Sequence, residues 1–282
     1  MLVRIWGCRG SLATPGPETL RYGGNTSCVE IECDDGTRII LDAGTGLRAL
    51  GRRLAANGAG PIHVCLTHLH LDHIEGIGFF APIFDPETEV HLWGPPSSVR
   101  SLDERLARYL SAPLFPIELR DLPATFLFHD VEDEPWEIGG ARLQAAPISH
   151  PGATLGYRIE ADDCSVTYLP DHEPAVGVEL DRLTSDWISG FGLAAGADLL
   201  IHDAQYTDPE YQDHVGWGHS SVSQAVSFGA MTDVDRLLLF HHDPLHSDDD
   251  LDAHGTRARE LWQGRGAPPE LASEGMELQL PL

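Results

Sequence analysis

The segment LTHLHLDHIEG, residues 66–76, places four side chains that can bind metals within six consecutive positions. His68 and His70 are two residues apart, so they point to the same side of an extended chain and can bind one cation. Asp72 and His73 follow and can face a second cation beside it. Imidazole nitrogen and carboxylate oxygen are ligands that zinc accepts, with manganese and iron as rivals. We therefore predict a metal site; the alternative is a cluster of His and Asp side chains that only hydrogen-bond one another.

Three apolar stretches further along the chain each end in another residue that can bind a metal. APISH ends in His150, VTYLPD ends in Asp171 and RLLLFH ends in His241. The apolar strand PIHVCLT leads into the histidine cluster in the same way, so these strand ends are predicted to complete the site. His242 is the alternative to His241, which we prefer because it comes first after the strand. Asp42, at the end of RIILD, is an earlier carboxylate at a strand end.

The pattern HxHxDH, followed by His, Asp and His at successive strand ends, resembles the metallo-β-lactamase superfamily. The resemblance runs from RIWGCRGS to LLLFHHD, nearly the whole chain. It implies an α/β fold (α+β by some schemes), a four-layer αββα sandwich with a two-metal site at one edge of its sheets. It implies two divalent ions, with zinc as first choice and manganese or iron as alternatives. The family pattern assigns the first metal to His68, His70 and His150, the second to Asp72, His73 and His241, the bridge to Asp171, and the orientation of ligands to Asp42.

Several stretches resemble the ribonuclease Z-like phosphodiesterases within that superfamily. SHPGATLGYRIE and FAPIFDPETEVHLWGP are two of them. HDAQ (202–205) and GHSS (218–221) stand where ribonuclease Z has His-Glu-Ala-Thr and Gly-His-Ser-Thr. The acidic residue and the histidine are kept as Asp203 and His219, although the neighbouring residues differ.

This pair suits the chemistry of a phosphodiester. The leaving alkoxide needs a proton, and a histidine held by a carboxylate can supply it near neutral pH. The resemblance therefore assigns His219 as general acid and Asp203 as the group that orients it, and counts Asp72 with the catalytic residues as well as the ligands. The alternatives are a hydrogen bond that only fixes a loop, and a cap at the start of a helix.

The charge of the chain bears on the size of the substrate. The formal net charge is −26, and every basic side chain other than histidine is arginine. An acidic surface repels a polyanion. Ribonuclease Z uses a basic protruding arm, whereas residues 171–219 contain only Arg182 as a basic side chain apart from histidines. We therefore expect a small phosphodiester, such as a cyclic nucleotide or a nucleotide-like cyclic phosphate. Nucleic acid is disfavoured but not excluded.

Other functions remain as alternatives. The first is an endoribonuclease that processes tRNA 3′ ends, and the second is a thioesterase or lactamase. The absence of a TPGH stretch argues against a thioesterase of the glyoxalase II type. A third is a non-catalytic, metal-stabilised binding module, which the complete ligand set argues against. A diiron redox role is disfavoured because that branch usually has glutamate at the position of His70.

The organisation predicted is one hydrolase domain over residues 1–282, with strands alternating with short helices. Helices are expected at Leu47–Asn57, ended by Gly58, at 96–110 with proline at its start, and at Leu251–Gln263. The chain has no run of about 20 apolar residues, so no membrane span is expected. The odd number of cysteines, five, fits free thiols in the cytoplasm. The resemblance also suggests a homodimer.

The glycine-rich stretches GCRGS and RYGGNTS near the N-terminus have two interpretations. Arg9, Arg21 or Asn25 contacts the phosphate of the substrate, or the stretches are turns with solvated arginines.

Overall fold

The computed structural model describes residues 1–57 and 60–281. Its strands are β1 (Leu2–Gly7), β2 (Cys28–Glu32), β3 (Arg38–Leu41), β4 (Ile62–Cys65), β5 (Glu89–Gly94), β6 (Thr125–Asp130), β7 (Trp136–Ile138), β8 (Ala141–Pro147), β9 (Leu155–Ala161), β10 (Cys164–Leu169), β11 (Leu199–Asp203), β12 (Leu237–Phe240), β13 (Glu270–Leu271) and β14 (Glu277–Gln279). Its α-helices are α1 (Leu47–Asn57), α2 (Leu71–Ile74), α3 (Leu102–Leu106), α4 (Phe191–Ala194), α5 (Asp208–Asp213), α6 (Val222–Met231) and α7 (Asp248–Leu261).

The strands of the described residues form two seven-stranded mixed sheets. The first has the order β14-β1-β2-β3-β4-β5-β6, and its strands β3 to β6 run parallel. The second has the order β13-β12-β11-β10-β9-β8-β7, and its strands β10 to β13 run parallel. Parallel neighbours need crossover connections, which the short helices supply on the outer faces.

The two sheets pack face to face around an apolar core. β1 shows how the sequence builds this arrangement, because alternate residues, among them Val3 and Ile5, are buried toward the second sheet. On the outside of the first sheet, Leu50 and Leu54 of α1 belong to a second apolar cluster. On the outside of the second sheet, Phe228 of α6 belongs to a third. The layers are thus helix, sheet, sheet and helix, and the predicted αββα sandwich is confirmed.

The carboxyl ends of the parallel strands define one edge of the sandwich. β3 and β4 end just before Asp42 and Leu66, and β10 and β12 end just before Pro170 and His241. Functional loops of α/β sheets gather at this kind of edge, because neighbouring parallel strands deliver their following residues side by side. Asp203 is the last residue of β11 and joins the same edge.

Two of the positions at this edge have an unusual backbone. Asp42 and His241 both have φ of 59°, in the left-handed region that residues other than glycine seldom adopt. Such conformations persist where surrounding contacts enforce them, and they cluster at functional sites. A Cβ on Gly10 would collide with the ring of His241, so the N-terminal loop passes this histidine closely.

The helices agree in part with the sequence-based expectations. α1 has the predicted bounds, while its predicted end at Gly58 lies outside the described residues. The helix predicted at 96–110 is present but shorter at both ends, because α3 begins only after Ser101 and ends at Leu106. The backbone N–H of Ser101 donates to Glu104 Oε2 at 3.1 Å, which is part of a capping box that fixes the start there.

The C-terminal part of the fold also differs from expectation. Helix α7 begins at Asp248 rather than Leu251, because the Ser247 side chain accepts from the backbone N–H of Asp250 and caps the helix three residues earlier. The strands β7, β13 and β14 were not predicted; each has only two or three residues, too few to show a periodic pattern. In the part of the chain that is described, no helix has both the length and the apolar character to cross a membrane.

Candidate metal centre

The first group of candidate ligands consists of three imidazoles. One ring nitrogen from each of His68, His70 and His150 lies within 4.8 Å of the others. Nε2 of His150 is 3.2 Å from Nδ1 of His70. Nε2 of His68 is buried and has no hydrogen-bond partner among the described residues. Three convergent nitrogens, one of them buried without a partner, are the donor set that zinc takes in His₃ sites.

The second group combines two carboxylates and two imidazoles. The donor atoms of Asp72, His73, Asp171 and His241 lie within 4.8 Å of one another, and all four residues are buried. Nε2 of His73 is 3.2 Å from Asp72 Oδ2 and 3.0 Å from Asp171 Oδ1. Nε2 of His241 is 3.4 Å and 3.2 Å from the same two oxygens. Nitrogen and oxygen donors therefore surround one point.

Asp171 lies between the two groups. Its Oδ1 faces His73 and His241, and its Oδ2 is 3.8 Å from Nε2 of both His68 and His150. One carboxylate with an oxygen directed at each group is the arrangement of a bridging ligand.

Four of the candidate histidines have an oxygen partner on the side of the ring away from the centre. Each directs its Nδ1 at an oxygen that can accept: His68 at Thr67 Oγ1 (3.0 Å), His73 at Asp42 Oδ2 (2.7 Å), His150 at the Gly218 carbonyl (3.0 Å) and His241 at Gln205 Oε1 (3.0 Å). With Nδ1 turned to these partners, Nε2 of each ring faces the centre. A cation at the centre would be shared by these nitrogens and the neighbouring carboxylate oxygens.

Asp42 organises the second group from behind. Its carboxylate accepts from the Thr67 backbone N–H at 2.8 Å, from the Thr67 hydroxyl at 2.9 Å and from the Tyr168 hydroxyl at 3.0 Å, in addition to His73. Asp42 is fully buried, so these contacts hold the His73 ring in one orientation. The structure thus places Asp42 behind the ligands, where the sequence predicted an orienting role.

The electrostatics of the second group favour positive charge. Burial opposes a charged imidazole, but the carboxylates of Asp171, Asp72 and Asp42 outweigh it and raise the pKa of His73 well above its usual value. Burial would likewise raise the pKa of Asp171, but His241, His73 and His68 hold it well below its usual range. A buried site that holds protons this strongly offers the same field to a divalent cation.

His219 and Asp203 form a hydrogen-bonded pair beside both groups. His219 Nδ1 is 2.7 Å from Asp203 Oδ2, and the His219 ring centroid is 5.0 Å from those of His150 and His241. Asp203 is fully buried, and its other oxygen accepts from the backbone N–H of Ser220 at 2.9 Å. Burial disfavours the charged ring, but Asp203 raises the pKa of His219 to about 9. Asp203 therefore favours the protonated ring.

The contacts of His219 bear on its alternative interpretations. It is not the cap of α6, because Ser221 occupies that position. One of its nitrogens also lies within 4.8 Å of donor atoms of His150 and Asp171, so the ring reaches the centre itself. For the choice between His241 and His242, the structure brings His241 into the second group. His242 points away, with Nε2 2.9 Å from the Ala272 carbonyl.

The N-terminal residues expected at the phosphate have other partners. Arg9 is fully buried and donates to three backbone carbonyls, those of Gly23 (2.8 Å), Asp243 (3.1 Å) and His246 (2.7 Å). Arg21 pairs with Asp249 and Asp252 beside α7. Asn25 donates its side-chain N–H to Glu274 Oε2 at 2.9 Å. Its burial rules out the predicted phosphate contact for Arg9, whereas for Arg21 and Asn25 that contact stays a prediction. All three residues tie the N-terminal loops to the rest of the fold.

Four residues that touch the site were not singled out from the sequence. Thr67 and Gln205 accept from His68 and His241, and Tyr168 donates to Asp42. The backbone N–H of Ser11 donates to Asp72 Oδ2 at 2.8 Å. Two of them carried a signal: Thr67 directly precedes the first histidine of the cluster, and Gln205 ends the HDAQ stretch.

Comparison with known proteins identifies the family. A family model described as the β-lactamase superfamily domain matches residues 37–242. The chain belongs to this superfamily. Its relatives include ribonuclease Z of Mycolicibacterium paratuberculosis, which is 30% identical over 256 residues, covering 81% of this chain and 80% of the relative. These matches confirm the predicted superfamily, its ribonuclease Z-like branch, and a metal-dependent hydrolase.

Solved structures confirm the β-lactamase superfamily fold. The metallo-β-lactamase fold protein YhfI from Bacillus subtilis superposes with a TM-score of 0.69 at 19% identity, covering 98% of both chains. A diphosphatase from the PhnP family superposes with a TM-score of 0.66 at 19% identity, covering 100% of this chain and 98% of its own. At this identity the likeness describes the fold, and the divalent metals that the superfamily implies fit the donor groups described above.

Proposed function

We propose that the protein is a two-metal phosphodiesterase that acts on a small phosphodiester, such as a cyclic nucleotide or a nucleotide-like cyclic phosphate. The observation that carries the proposal is the His219–Asp203 pair, joined at 2.7 Å next to two convergent donor groups. A protonated imidazole at this place suits a reaction in which an alkoxide leaves.

The two donor groups divide the metal ligands as the family pattern suggests. His68, His70 and His150 would hold one ion, Asp72, His73 and His241 the other, and Asp171 both. Divalent ions at such a site neutralise the phosphodiester and lower the pKa of a water nucleophile. Zinc is our choice for a site with this many imidazoles, with manganese and iron as alternatives.

The remaining steps are carried by side chains of the protein. Asp203 accepts from Nδ1 of His219, which leaves the Nε2 proton free for transfer. His219 donates that proton to the departing oxygen, and Asp203 favours the charged ring because it raises the pKa of His219. Asp72 contributes as a ligand, held by the backbone N–H of Ser11.

The size of the substrate is argued from charge. The chain has a formal net charge of −26, and Arg9 and Arg21 are engaged within the protein. A protein that offers few cations to the phosphate backbone binds nucleic acid weakly, because counterion release supplies much of that affinity. The second candidate, cleavage at tRNA 3′ ends, is favoured by the relatives named ribonuclease Z.

The test is a panel of substrates offered to the protein with both metals bound. We expect turnover of 2′,3′- or 3′,5′-cyclic nucleotides, and a loss of that turnover in His219→Ala. Cleavage of precursor tRNA without turnover of any small diester would favour the endoribonuclease. Hydrolysis of a thioester or a lactam, with no phosphodiester cleaved, would reject both.

The cellular setting is part of the same proposal. The five cysteines are buried free thiols, which fits the reducing cytoplasm. A homodimer is proposed on the resemblance alone, and sedimentation analysis of the metal-loaded protein decides it.

A further inference from the structure

Glu173 is a fully buried carboxylate that lies two residues after Asp171. Its oxygens accept from the Tyr211 hydroxyl at 2.7 Å, from the backbone N–H of Gly216 at 3.0 Å and from the backbone N–H of Gly218 at 3.0 Å. All three partners are neutral donors, and among the described residues no ion pair joins Glu173. A buried carboxylate is costly unless its hydrogen bonds are well made. The buried position of the Glu173 carboxylate therefore depends on the loop that supplies these donors.

That loop leads directly into His219. Gly216 and Gly218 have φ of 84° and 88°, and backbone N–H groups in turns of this kind form a concave nest for an anion. A Cβ on Gly218 would collide with the ring of His150 and with Pro151, so the backbone passes closely over a candidate metal ligand. The anion in this nest is the side chain of Glu173.

Gly218 connects Glu173, His150 and His219. Its N–H donates to Glu173, its carbonyl accepts from His150 Nδ1 at 3.0 Å, and the next residue is His219. The loop after β10 thus carries both Asp171, between the donor groups, and Glu173, which holds the loop of the general acid. A second contact between the two loops, from the Ser220 hydroxyl to the His172 carbonyl at 2.6 Å, closes the arrangement.

We propose that Glu173 is a positioning residue that sets the orientation of His219 toward the leaving group. The inference rests on the proposed function, because it assumes that His219 protonates a leaving oxygen. Without the carboxylate, the N–H groups of Gly216 and Gly218 lose their common acceptor and the loop relaxes. His219 then keeps Asp203 as a partner but loses the fixed distance to the substrate.

The experiment compares two phosphodiesters that differ only in the leaving group, which is phenoxide in one and 4-nitrophenoxide in the other. Nitrophenoxide departs without a proton, whereas phenoxide needs more help from the acid. We expect Glu173→Ala to lower kcat on the phenyl ester by about tenfold or more beyond its effect on the nitrophenyl ester, as a part of the general-acid contribution. His219→Ala should also lose more activity on the phenyl ester than on the nitrophenyl ester, and by a larger factor.

Three further variants make the result specific. Glu173→Gln keeps one acceptor oxygen and is expected to fall between wild type and Glu173→Ala. Tyr211→Phe removes one donor to the carboxylate. It should also lower the rate on the phenyl ester more than the rate on the nitrophenyl ester, but by a smaller factor than Glu173→Ala. Glu132→Gln, at an exposed position, is the matched control and should leave both rates unchanged. Metal content and circular dichroism of each variant are measured alongside.

The outcomes separate the inference from the function beneath it. If His219→Ala discriminates between the esters and the Glu173 variants do not, Glu173 has no positioning role. An equal loss on both esters together with loss of metal would make Glu173 a structural residue and would also overturn the inference. If His219→Ala shows no discrimination, the assigned acid is wrong and the inference fails with it. Where Glu173→Ala does not fold, Glu173→Gln and Tyr211→Phe decide the question by the ratio of their rates on the two esters.

Discussion

His63, His91 and His129 lie side by side on β4, β5 and β6, and their rings pack as closely as those of the metal centre. The ring centroids of His63 and His91 are 4.4 Å apart at 24°, and those of His91 and His129 are 5.2 Å apart at 6°. We call these three residues the stacked cluster. In the stacked cluster, Nδ1 of His91 lies 3.0 Å from Nε2 of His129, and these three histidines are not among the groups of described residues whose donor atoms converge. In the metal centre, by contrast, nitrogens converge whether the rings are inclined, as in His68 and His70 at 79°, or nearly parallel, as in His73 and His241 at 25°.

Carboxylates are the second difference. Burial and the neighbouring histidines lower the pKa of His63 to about 4. Among the residues that the structure describes, Glu89 is the one carboxylate that contacts the stacked cluster, at 2.9 Å from His91. In the metal centre, three carboxylates raise the pKa of His73 despite its burial. The same residue type is thus kept neutral in one region and made attractive to cations in the other. A metal centre is recognised by convergent nitrogens with carboxylates among them, and a high density of histidine is not enough.

The largest expected effect comes from removing the carboxylate between the two donor groups. Asp171→Ala should lower turnover by about a thousandfold or more, because the metals supply several kcal/mol of charge stabilisation. Bound metal should fall from two ions per chain, as measured by mass spectrometry of the inorganic content. His91→Ala in the stacked cluster is the control, with unchanged metal content. Equal metal loss in both variants would remove the distinction between the two regions.

The next effect concerns the acid. His219→Ala should lower kcat by about 10²- to 10⁴-fold, the usual range for a general acid, while both metals stay bound. The pH profile gives an independent check, because the acid form is present below the His219 pKa of about 9 and is lost as the pH rises through it. Steady-state rates from pH 6 to 10 measure this limb. Loss of metal in the variant would make His219 a ligand instead.

A smaller effect is expected from removing a side chain that orients one of the candidate ligands. Gln205 accepts from Nδ1 of His241 and donates to Asp243 at 3.1 Å, so Gln205→Leu releases the orientation of that ring. Metal affinity should weaken by about 10- to 100-fold, as is usual when a partner of a ligating histidine is removed. Competition with a coloured chelator measures the affinity, and Gln212→Leu at an exposed position is the control. Unchanged affinity would show that His241 needs no support from Gln205.

The smallest effect tests the stacked cluster itself. His63 has a folded pKa of about 4 against an ordinary 6.5, so the unfolded chain takes up this proton first as the pH falls. The ring therefore costs stability progressively between about pH 6.5 and pH 4. His63→Gln should flatten that part of the stability curve by about 1 kcal/mol, a value discounted because the ring is only partly buried. Denaturant unfolding of the metal-free protein measures it, and an unchanged slope would contradict the assigned pKa.

Much of the metal centre was predictable because its ligands follow strands. HxHxDH, His150, Asp171 and His241 carry the signal in their types and in the apolar runs before them, and parallel strand ends meet at one edge. Thr67 and Gln205 lie within recognisable stretches, but their residue types do not show what they do. Their roles appear only when the sheets pack and bring an acceptor behind each imidazole.

The limits of prediction elsewhere have similar causes. Arg9 looks like a phosphate ligand because it stands between glycines, yet three carbonyls from distant loops surround it. Glu173 could not be singled out, since its donors come from residues 38 to 45 positions away. Helix α1 was predicted to the residue because its apolar positions repeat regularly, whereas the start of α3 depends on one capping serine.

The central claim is that the convergent histidines hold metals which drive phosphodiester hydrolysis. The most direct measurement titrates metal-free protein with zinc, and separately with manganese, while following hydrolysis of bis(4-nitrophenyl) phosphate and bound metal. We predict that turnover appears with added metal and reaches its maximum at two ions per chain. Two ions bound per chain without any turnover would contradict the account.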